Sequence, residues 1–263
     1  MNKTLKQKAF TLAETLIVMG VIGVVAALTI PSLSNSTNDK DVVAKVRKNH
    51  TALEDAFGRM IATYEEFDSW GANLTTNDLG KRLFGSMKLT KNCDTTVSGC
   101  FSADANLIKS DGSTSIGSLN GTSSSVYRVI LADGASVGIF VDNATCTATA
   151  GSNVSQDLKE ICGTILVDVD GPSKGKSKHG LDLFTYYITK KGIYPVGTAD
   201  DTKFKFKEAC TQKGAPTTAT GSNACTAWVV YNANLDYKKA DTTGKCLSNT
   251  NKTLDFTTNT SCD

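Results

Sequence analysis

The sequence predicts an α+β fold in which a long N-terminal helix packs on an antiparallel β-sheet, followed by a disulfide-rich C-terminal region. An apolar run over residues 10–30 leads into a stretch whose apolar residues recur at helical spacing, which predicts a membrane half and an amphipathic half of one helix. Several short β-type runs separated by turn residues follow between residues 126 and 196. All eight cysteines lie beyond residue 92, which favours disulfides and an oxidising compartment.

The apolar run has the length of a membrane span. Its 21 residues, at about 1.5 Å per residue, cover about 31 Å, the thickness of a bilayer core. Lys3, Lys6 and Lys8 precede the run, and basic flanks favour the cytoplasmic side. We therefore expect a single-pass protein of the bacterial inner membrane with its C-terminal domain in the periplasm.

Glu14 is the one charged residue in this run. A carboxylate near the centre of a membrane helix is unfavourable by about 2.5–3.5 kcal/mol, so we expect an interaction that compensates for the burial of this charge. A secretory signal peptide cleaved after Val25-Ala26-Ala27 is one alternative, and a plain membrane anchor is another. Neither alternative gives Glu14 a role.

The stretch KAFTLAETLIVMGVIGVVAALTIPSL resembles the N-terminus of type IV pilins and type II secretion pseudopilins. In that family a short basic leader ends just before a Phe. Thr and Leu follow this Phe directly, and a Glu lies four residues after the Phe. The resemblance implies that prepilin peptidase cleaves between Ala9 and Phe10 and methylates the new Phe10 amine. Pro31 resembles the proline that bends the family's helix. The residue before the cut is usually Gly, so with Ala9 we expect slower processing.

Cleavage gives Glu14 a partner. The Phe10 amine becomes a cation at the end of an apolar helix, where the carboxylate of a neighbouring subunit can pair with it. The leader blocks this pairing until it is removed, and the loss of its three lysines takes the formal net charge from +2 to −1. Glu14 is therefore expected to be satisfied in an assembly and not in a lone subunit.

These features divide the chain into four segments. Residues 1–9 form the cleaved leader, 10–33 the transmembrane and assembly helix, 34–67 its amphipathic continuation, and 68–263 a periplasmic globular domain. In the amphipathic segment the predicted apolar stripe comprises Val42, Val43, Val46, Leu53, Ala56, Phe57, Met60, Ile61 and Tyr64. His50 lies in the same segment and is interpreted as structural.

Residues 68–125 show little pattern, and the predicted strands follow them. They span residues 126–131, 135–141, 164–169, 183–189 and 193–196, with a hairpin turn at Asp133-Gly134. Residues 225–237 read as one more strand, which places Trp228 in the core.

Asp168, Asp170 and Asp182 flank the loop between the third and fourth strands. Their carboxylates could converge on calcium. Pseudopilin-like relatives often carry a similar Asp-x-Asn/Asp-Gly loop closed by Gly-x-Asp-x-Phe, and some family members bind calcium. The EF-hand template fails, because His179 occupies the twelfth position, where that loop needs a Glu. The alternative is a polar turn in which Asp and Gly serve backbone geometry. No other cofactor is predicted.

The disulfide candidates are Cys93, Cys100, Cys146, Cys162, Cys210, Cys225, Cys246 and Cys262. Pairing each with its neighbour in sequence is one of 105 arrangements, so the connectivity stays open. A closed loop of about fifteen residues is worth roughly 3 kcal/mol in the chain-entropy model.

The sequence contains no phosphate loop and only two histidines, which argues against an enzyme. Its nearly balanced charge gives no reason to expect a nucleic-acid partner. The leading hypothesis is a pilin-like structural subunit of a type II secretion pseudopilus or type IV pilus-like filament. Its partners would be prepilin peptidase, other pilin or pseudopilin subunits, the inner-membrane assembly platform and, before assembly, membrane lipid. The alternatives are a membrane-anchored periplasmic or surface binding domain that does not polymerise, and a secreted domain that begins after Ala27.

Overall fold

The structure is a computed structural model that describes residues 11–64, 74–102, 119–122, 125–174, 177–210, 223–241 and 243–262, with only the backbone described over residues 29–36. The chain divides into two compact units, Met1–Asp41 and Val42–Asp263. Each unit is described by itself below.

Helix α1 spans Leu12–Tyr64 and is the longest element of the described chain. Its backbone is helical through residue 31 and on through residues 34–38. Residues 65–67, the last of the predicted amphipathic segment, lie outside the described residues, and the bend at Pro31 stays a prediction. The four segment boundaries proposed from the sequence also stay predictions.

The described part of the globular unit contains one antiparallel sheet of six strands, and the strands follow one another in sequence order. Every neighbouring pair is antiparallel. The strands are β1 Leu89–Asp94, β2 Tyr127–Leu131, β3 Ser136–Val141, β4 Ile161–Asp168, β5 Leu183–Thr189 and β6 Ile193–Pro195.

The middle of this sheet is covered on both faces. All eight residues of β4 and all seven of β5 are buried. Such strands are expected as continuous apolar runs rather than alternating ones, which is how TILVDV and LFTYYIT appear in the sequence. At the β2–β3 hairpin Gly134 has φ +92°, a left-handed conformation that glycine adopts without strain.

The C-terminal part of α1 supplies the cover on one face. Its stripe packs in one hydrophobic core with inward-facing strand residues, and the buried members include Val42, Val46, Leu53, Phe57, Met60, Val129, Val137, Ile139, Ile165 and Val167. Lys45 Nζ lies 3.0 Å from Asp170 Oδ1, and Lys48 Nζ lies 2.9 Å from Asp133 Oδ2. These two ion pairs join this stretch of helix to two turns of the sheet.

A second, smaller core lies on another set of strand side chains. Its buried members are Cys93, Cys100, Phe101, Leu119, Val126, Phe140, Leu166 and Leu183. Residues Phe140 and Leu166 alternate with members of the first core along β3 and β4, so the two cores lie on opposite faces of the sheet.

Two elements form where the sequence showed little pattern, namely β1 and helix α2 (Thr76–Phe84). Thr75 caps α2 by accepting a hydrogen bond from the Asp78 N–H. Helix α3 covers Phe206–Ala209, and short 3₁₀ turns cover Gln156–Lys159, Asn223–Cys225 and Asp236–Lys239.

The strand predicted over residues 225–237 is wrong. Helix α4 spans Thr226–Asn232 instead and ends at Ala233, which has a left-handed backbone. Residues 226–230 are all buried, and a short run that is apolar on every side does not distinguish a strand from a buried helix by periodicity. Trp228 is nonetheless fully buried, as expected.

The eight cysteines form four disulfides, each between cysteines adjacent in sequence. The pairs are Cys93–Cys100, Cys146–Cys162, Cys210–Cys225 and Cys246–Cys262. This is the local arrangement among those that the sequence left open.

Candidate assembly helix and its N-terminal cap

The first turns of α1 expose their apolar side chains on all sides. The large apolar residues of this stretch keep between 54% and 79% of their surface exposed, and they are Leu12, Leu16, Ile17, Val18, Met19, Val21, Ile22, Val24, Val25 and Leu28. Four of them follow one another directly at positions 16–19, so no face of the helix is polar throughout. A helix that is apolar all round is stable only in apolar surroundings.

Among the described residues, which do not include the side chains of residues 29–36, no helix combines the length and the apolar character needed to cross a membrane.

Two glycines interrupt the apolar surface. A Cβ atom added to Gly20 or Gly23 would meet no atom of the described residues within 4 Å beyond the neighbouring backbone of its own helix. Packing within the described residues therefore does not explain why these positions are small. The two glycines are three residues apart and so lie near one side of the helix, where small residues let a second helix approach the backbone closely.

Glu14 lies at the beginning of α1 and is hydrogen-bonded to Thr11. The Thr11 N–H donates to Glu14 Oε2 at 2.9 Å, and the Thr11 hydroxyl donates to the same oxygen at 2.8 Å. In return, the Glu14 N–H donates to Thr11 Oγ1 at 3.3 Å. The Thr15 N–H donates to the Thr11 carbonyl at 3.2 Å, which makes Thr11 the N-cap residue. This reciprocal arrangement is a capping box.

The cap changes the account of Glu14 in a lone subunit. The sequence predicts no partner for this carboxylate before assembly, whereas the structure provides one three residues away. The T-x-x-E spacing in the sequence is the signature of a capping box and would have predicted it. Gln serves a capping box as well as Glu does, so the cap explains a hydrogen-bonding side chain at position 14 but not its negative charge.

The proposed processing site lies outside the described residues. Ala9 and Phe10 precede Thr11, the first described residue. Cleavage between them, methylation of Phe10 and the role of Pro31 in assembly therefore stay predictions.

The three aspartates of the predicted calcium loop are engaged in other contacts. Asp168 Oδ1 accepts from the N–H groups of Asp170 and Gly171, both at 3.1 Å, and its Oδ2 accepts from the Ser177 hydroxyl at 2.5 Å. Asp170 accepts from Lys45 Nζ at 3.0 Å. Asp182 accepts from the Lys178 N–H.

Burial dominates the electrostatics of this loop. It raises the pKa of Asp182 to about 7, with a smaller contribution from the nearby negative charges of Asp168 and Asp170. Burial also raises the pKa of Asp168, against the hydrogen bonds that lower it. Among the described residues, no group of three or more His, Cys, Asp or Glu is arranged to hold a metal ion. The contacts fit the polar turn, and calcium binding by Asp168, Asp170 and Asp182 stays a prediction without geometric support.

Comparison with known families gives one match. Residues 4–30 match the family described as the prokaryotic N-terminal methylation motif, the hallmark of the prepilin-type signal of type IV pilins and pseudopilins. No curated protein and no solved structure matches the chain significantly. The match confirms the resemblance drawn from the N-terminal residues, and it covers none of the globular unit.

Proposed function

Because the chain carries a prepilin-type methylation motif, we propose that it is a pilin-like subunit that assembles into a filament through its N-terminal helix. Prepilin peptidase cleaves it between Ala9 and Phe10 and methylates Phe10. The helix over residues 10–33 holds the subunit in the inner membrane, with the globular unit in the periplasm. The subunit then leaves the lipid and packs into a type II secretion pseudopilus or a type IV pilus-like filament.

One observation carries this proposal: the helix before residue 29 is apolar on every side and its side chains are exposed. Lipid covers such a surface in the membrane, and the same helices of other subunits cover it in a filament. The exchange keeps apolar surface away from water at each stage, so it avoids the cost of hydrating it. Gly20 and Gly23 supply the small positions at which two such helices can approach closely.

The negative charge of Glu14 supplies selectivity. A filament core of apolar helices excludes water, so a carboxylate there needs a positive partner. Cleavage creates this partner at the Phe10 amine, next to Thr11 in the sequence. Pairing between subunits would fix their axial register, as a buried polar residue does in a coiled coil.

Three variants separate the effect of the negative charge of Glu14 from the effect of its capping hydrogen bonds. Glu14→Gln keeps an acceptor for the Thr11 N–H and loses the charge. Thr11→Val keeps the charge and loses the hydroxyl that completes the cap. Glu14→Ala loses both. Filaments sheared from the cell surface, or from cells that overproduce the secretion machinery, are quantified by immunoblot, and membrane insertion is followed by carbonate extraction.

We expect Glu14→Gln and Glu14→Ala to reduce filaments at least tenfold with insertion unchanged, and Thr11→Val to retain most assembly. If Glu14→Gln assembles like the wild type, the charge has no role in assembly. If no variant changes anything and no filament is found, the alternative of a membrane-anchored binding domain gains support. Intact mass of the extracted protein checks processing, because the proposal requires a chain that begins at N-methylated Phe10.

A further inference from the structure

The two edges of the six-stranded sheet carry side chains of opposite charge. Strand β1 lies at one edge and β6 at the other. Five strand spacings of about 4.8 Å separate them, so the two edges are about 24 Å apart. A charged side chain at one edge therefore cannot contact a charged side chain at the other edge of the same subunit.

The β1 edge is basic. Residues 79–93, which form most of α2 and β1, contain no acidic residue. The basic residues of this stretch are Lys81, Arg82, Lys88 and Lys91. Arg82 lies over the Tyr64 ring, 5.3 Å from its centroid. The three lysines, called the β1 lysines below, are exposed, and none of them lies within ion-pair distance of a carboxylate of the described residues.

All three β1 lysines lie close to this edge. Lys91 belongs to β1 itself, and Lys88 directly precedes it. Hydrogen bonds from Thr96 lower the pKa of Asp94, the last residue of β1, and the positive charge of Lys81 lowers it further. Lys81 is therefore near the end of the same strand. The β1 edge thus carries more positive than negative charge.

The β6 edge carries two tyrosines with carboxylates beside them. Tyr194 belongs to β6, and Tyr231 lies on α4. Burial raises the pKa of Tyr231, and the negative charges of Glu54 and Asp200 raise it further. Burial likewise raises the pKa of Tyr194 to about 12, with contributions from Asp157 and Glu54. These three acidic residues, called the β6 carboxylates below, therefore lie near the two tyrosines.

Most of this negative charge has no counter-charge within the subunit. Glu54 and Asp200 have no lysine or arginine of the described residues within ion-pair distance. Lys191 lies 3.3 Å from Asp157 and 3.9 Å from a second carboxylate, so one cation serves two anions. Lys159, on the same turn as Asp157, is exposed and pairs with neither. The β6 edge can therefore accept a further cation.

Tyr231 makes this edge suitable for an ammonium group. Its side chain lies on the surface and keeps 57% of its area exposed. An ammonium group is attracted both to a carboxylate and to the face of a tyrosine ring. Tyrosine is also enriched among the residues that contribute most to protein interfaces. The β1 lysines of another copy of the chain are cations of this kind and have no carboxylate partner of their own.

The position of the two patches decides how copies would meet. A contact between two identical edges would bring like charges together, which is unfavourable. A contact between opposite edges pairs unlike charges and leaves one edge of each subunit free for the next copy. Such a head-to-tail contact continues into an open helical array unless the rotation between copies closes a ring.

We propose that the β1 edge of one subunit docks on the β6 edge of the next, with the β1 lysines facing the β6 carboxylates of the neighbour. This inference rests on the proposed filament and adds the surfaces through which its globular units meet. Because the charges are exposed, the contact weakens as salt is added.

The test uses a zero-length carbodiimide, which joins a lysine amine to a carboxylate as an amide only where the two groups touch. It is applied to sheared filaments and to the concentrated full chain in detergent, and linked peptides are identified by mass spectrometry. We expect peptides that join a β1 lysine to a β6 carboxylate. The distance between the two edges excludes such a link within one subunit. In detergent, the yield should fall about threefold or more between about 20 mM and about 500 mM salt.

Charge reversal tests the same contact. Lys88→Glu and Asp200→Lys change exposed positions at opposite edges, and each should lower filament and cross-link yields by about threefold or more. The two changes combined in one chain restore unlike charges and should recover most of the yield. Lys245→Glu, at an exposed lysine that belongs to neither patch, is the matched control and should leave the yields unchanged. Circular dichroism checks that every variant is folded.

Three results would overturn the proposal. One is the absence of any link between the two edges in wild-type filaments. Another is a loss in Lys88→Glu that is no larger than in the control, or that the combined variant does not recover. The third is a loss confined to Lys88→Glu, which would assign the β1 lysines to an anionic lipid or polymer. If the wild type forms no filaments, the proposed function fails, and the cross-links in detergent still decide whether the two edges meet.

Discussion

The two ends of helix α1 share one backbone conformation and differ in what surrounds their side chains. Before residue 29 the large apolar side chains are more than half exposed, whereas in the later turns Val46 and Leu53 are fully buried. Hydrogen bonding within the helix is equally complete in both, because each N–H finds its acceptor in the preceding turn. The difference lies in tertiary contacts alone.

This comparison shows where the chain obtains its stability and where it depends on other molecules. The later turns have a polar face and one apolar stripe, so a single sheet is enough to cover them. The early turns have no polar face, so one surface cannot cover them. The apolar character of the early turns on all sides therefore indicates that they function in an apolar environment.

The largest expected difference is between truncating one side chain in the later turns of α1 and truncating one in its early turns. Leu53→Ala should lower the free energy of unfolding of the globular unit by about 3 kcal/mol, because it leaves a cavity under the sheet. Ile22→Ala should change it by less than about 0.5 kcal/mol, since Ile22 contributes nothing to that core. Urea unfolding of the full chain in detergent, followed by tryptophan fluorescence, measures both. Equal losses would mean that the early turns are covered within the chain.

A somewhat smaller effect is expected from removing the Cys210–Cys225 disulfide by alanine at both positions. The closed loop has a sequence separation of 15, and losing it should cost about 2–3 kcal/mol. Circular dichroism of the early turns in detergent should not change, because their helix needs no contact with that region. The matched double variant of Cys93 and Cys100 opens a loop of separation 7 and should cost less. A reversed order would show that strain or local packing outweighs loop entropy.

The smallest effect concerns pH and belongs to the globular unit. The pKa of Asp182 is about 7 in the fold, above its ordinary value of 3.8, because the carboxyl is buried. Between these values the folded state binds more protons than the unfolded state, so stability rises as pH falls from about 7.5 to about 4.5. Allowing for partial exposure, we expect about 1 kcal/mol between pH 7.5 and 5.

Asp182→Asn isolates this contribution, because an amide oxygen can still accept from the Lys178 N–H. The free energy of unfolding of the wild type minus that of the variant should be lower at pH 7.5 than at pH 5 by about 1 kcal/mol, read from urea midpoints. His50 acts in the opposite direction, since burial lowers its pKa and acid then favours unfolding. For that reason the difference between the two proteins, and not the wild-type curve, is the measurement. A difference independent of pH would contradict the assignment.

Most of the sheet could be predicted from sequence because its central strands are long, β-branched and bounded by turns. Helix α4 could not, since five consecutive buried residues satisfy the pattern of either element and packing on Phe206 and Phe256 decides between them. Strand β1 was missed because it lies at the edge of the sheet, where Thr90, Lys91 and Asn92 are exposed and carry no apolar signal.

The candidate assembly site divides in the same way. Its motif is local, so the stretch KAFTLAETLIVMGVIGVVAALTIPSL was sufficient to identify the prepilin-type signal. The capping box is local too and can be predicted from the spacing of Thr11 and Glu14. The pocket lined by Ala199, Phe206 and Phe256 cannot be predicted in this way, because its lining includes residues more than fifty positions apart and depends on how α3 and the C-terminal turn meet. Local chemistry can be predicted from sequence alone, whereas a concave site needs the fold.

The capping box bears on how the proposed subunits would meet. Both hydrogen bonds from Thr11 fall on Oε2 of Glu14. A carboxylate has a second oxygen with acceptor sites of its own, so in the proposed filament an amine can pair with Oε1 while the cap stays in place. The carboxylate is then oriented before a neighbour arrives, and we expect this contact to form with little loss of side-chain freedom.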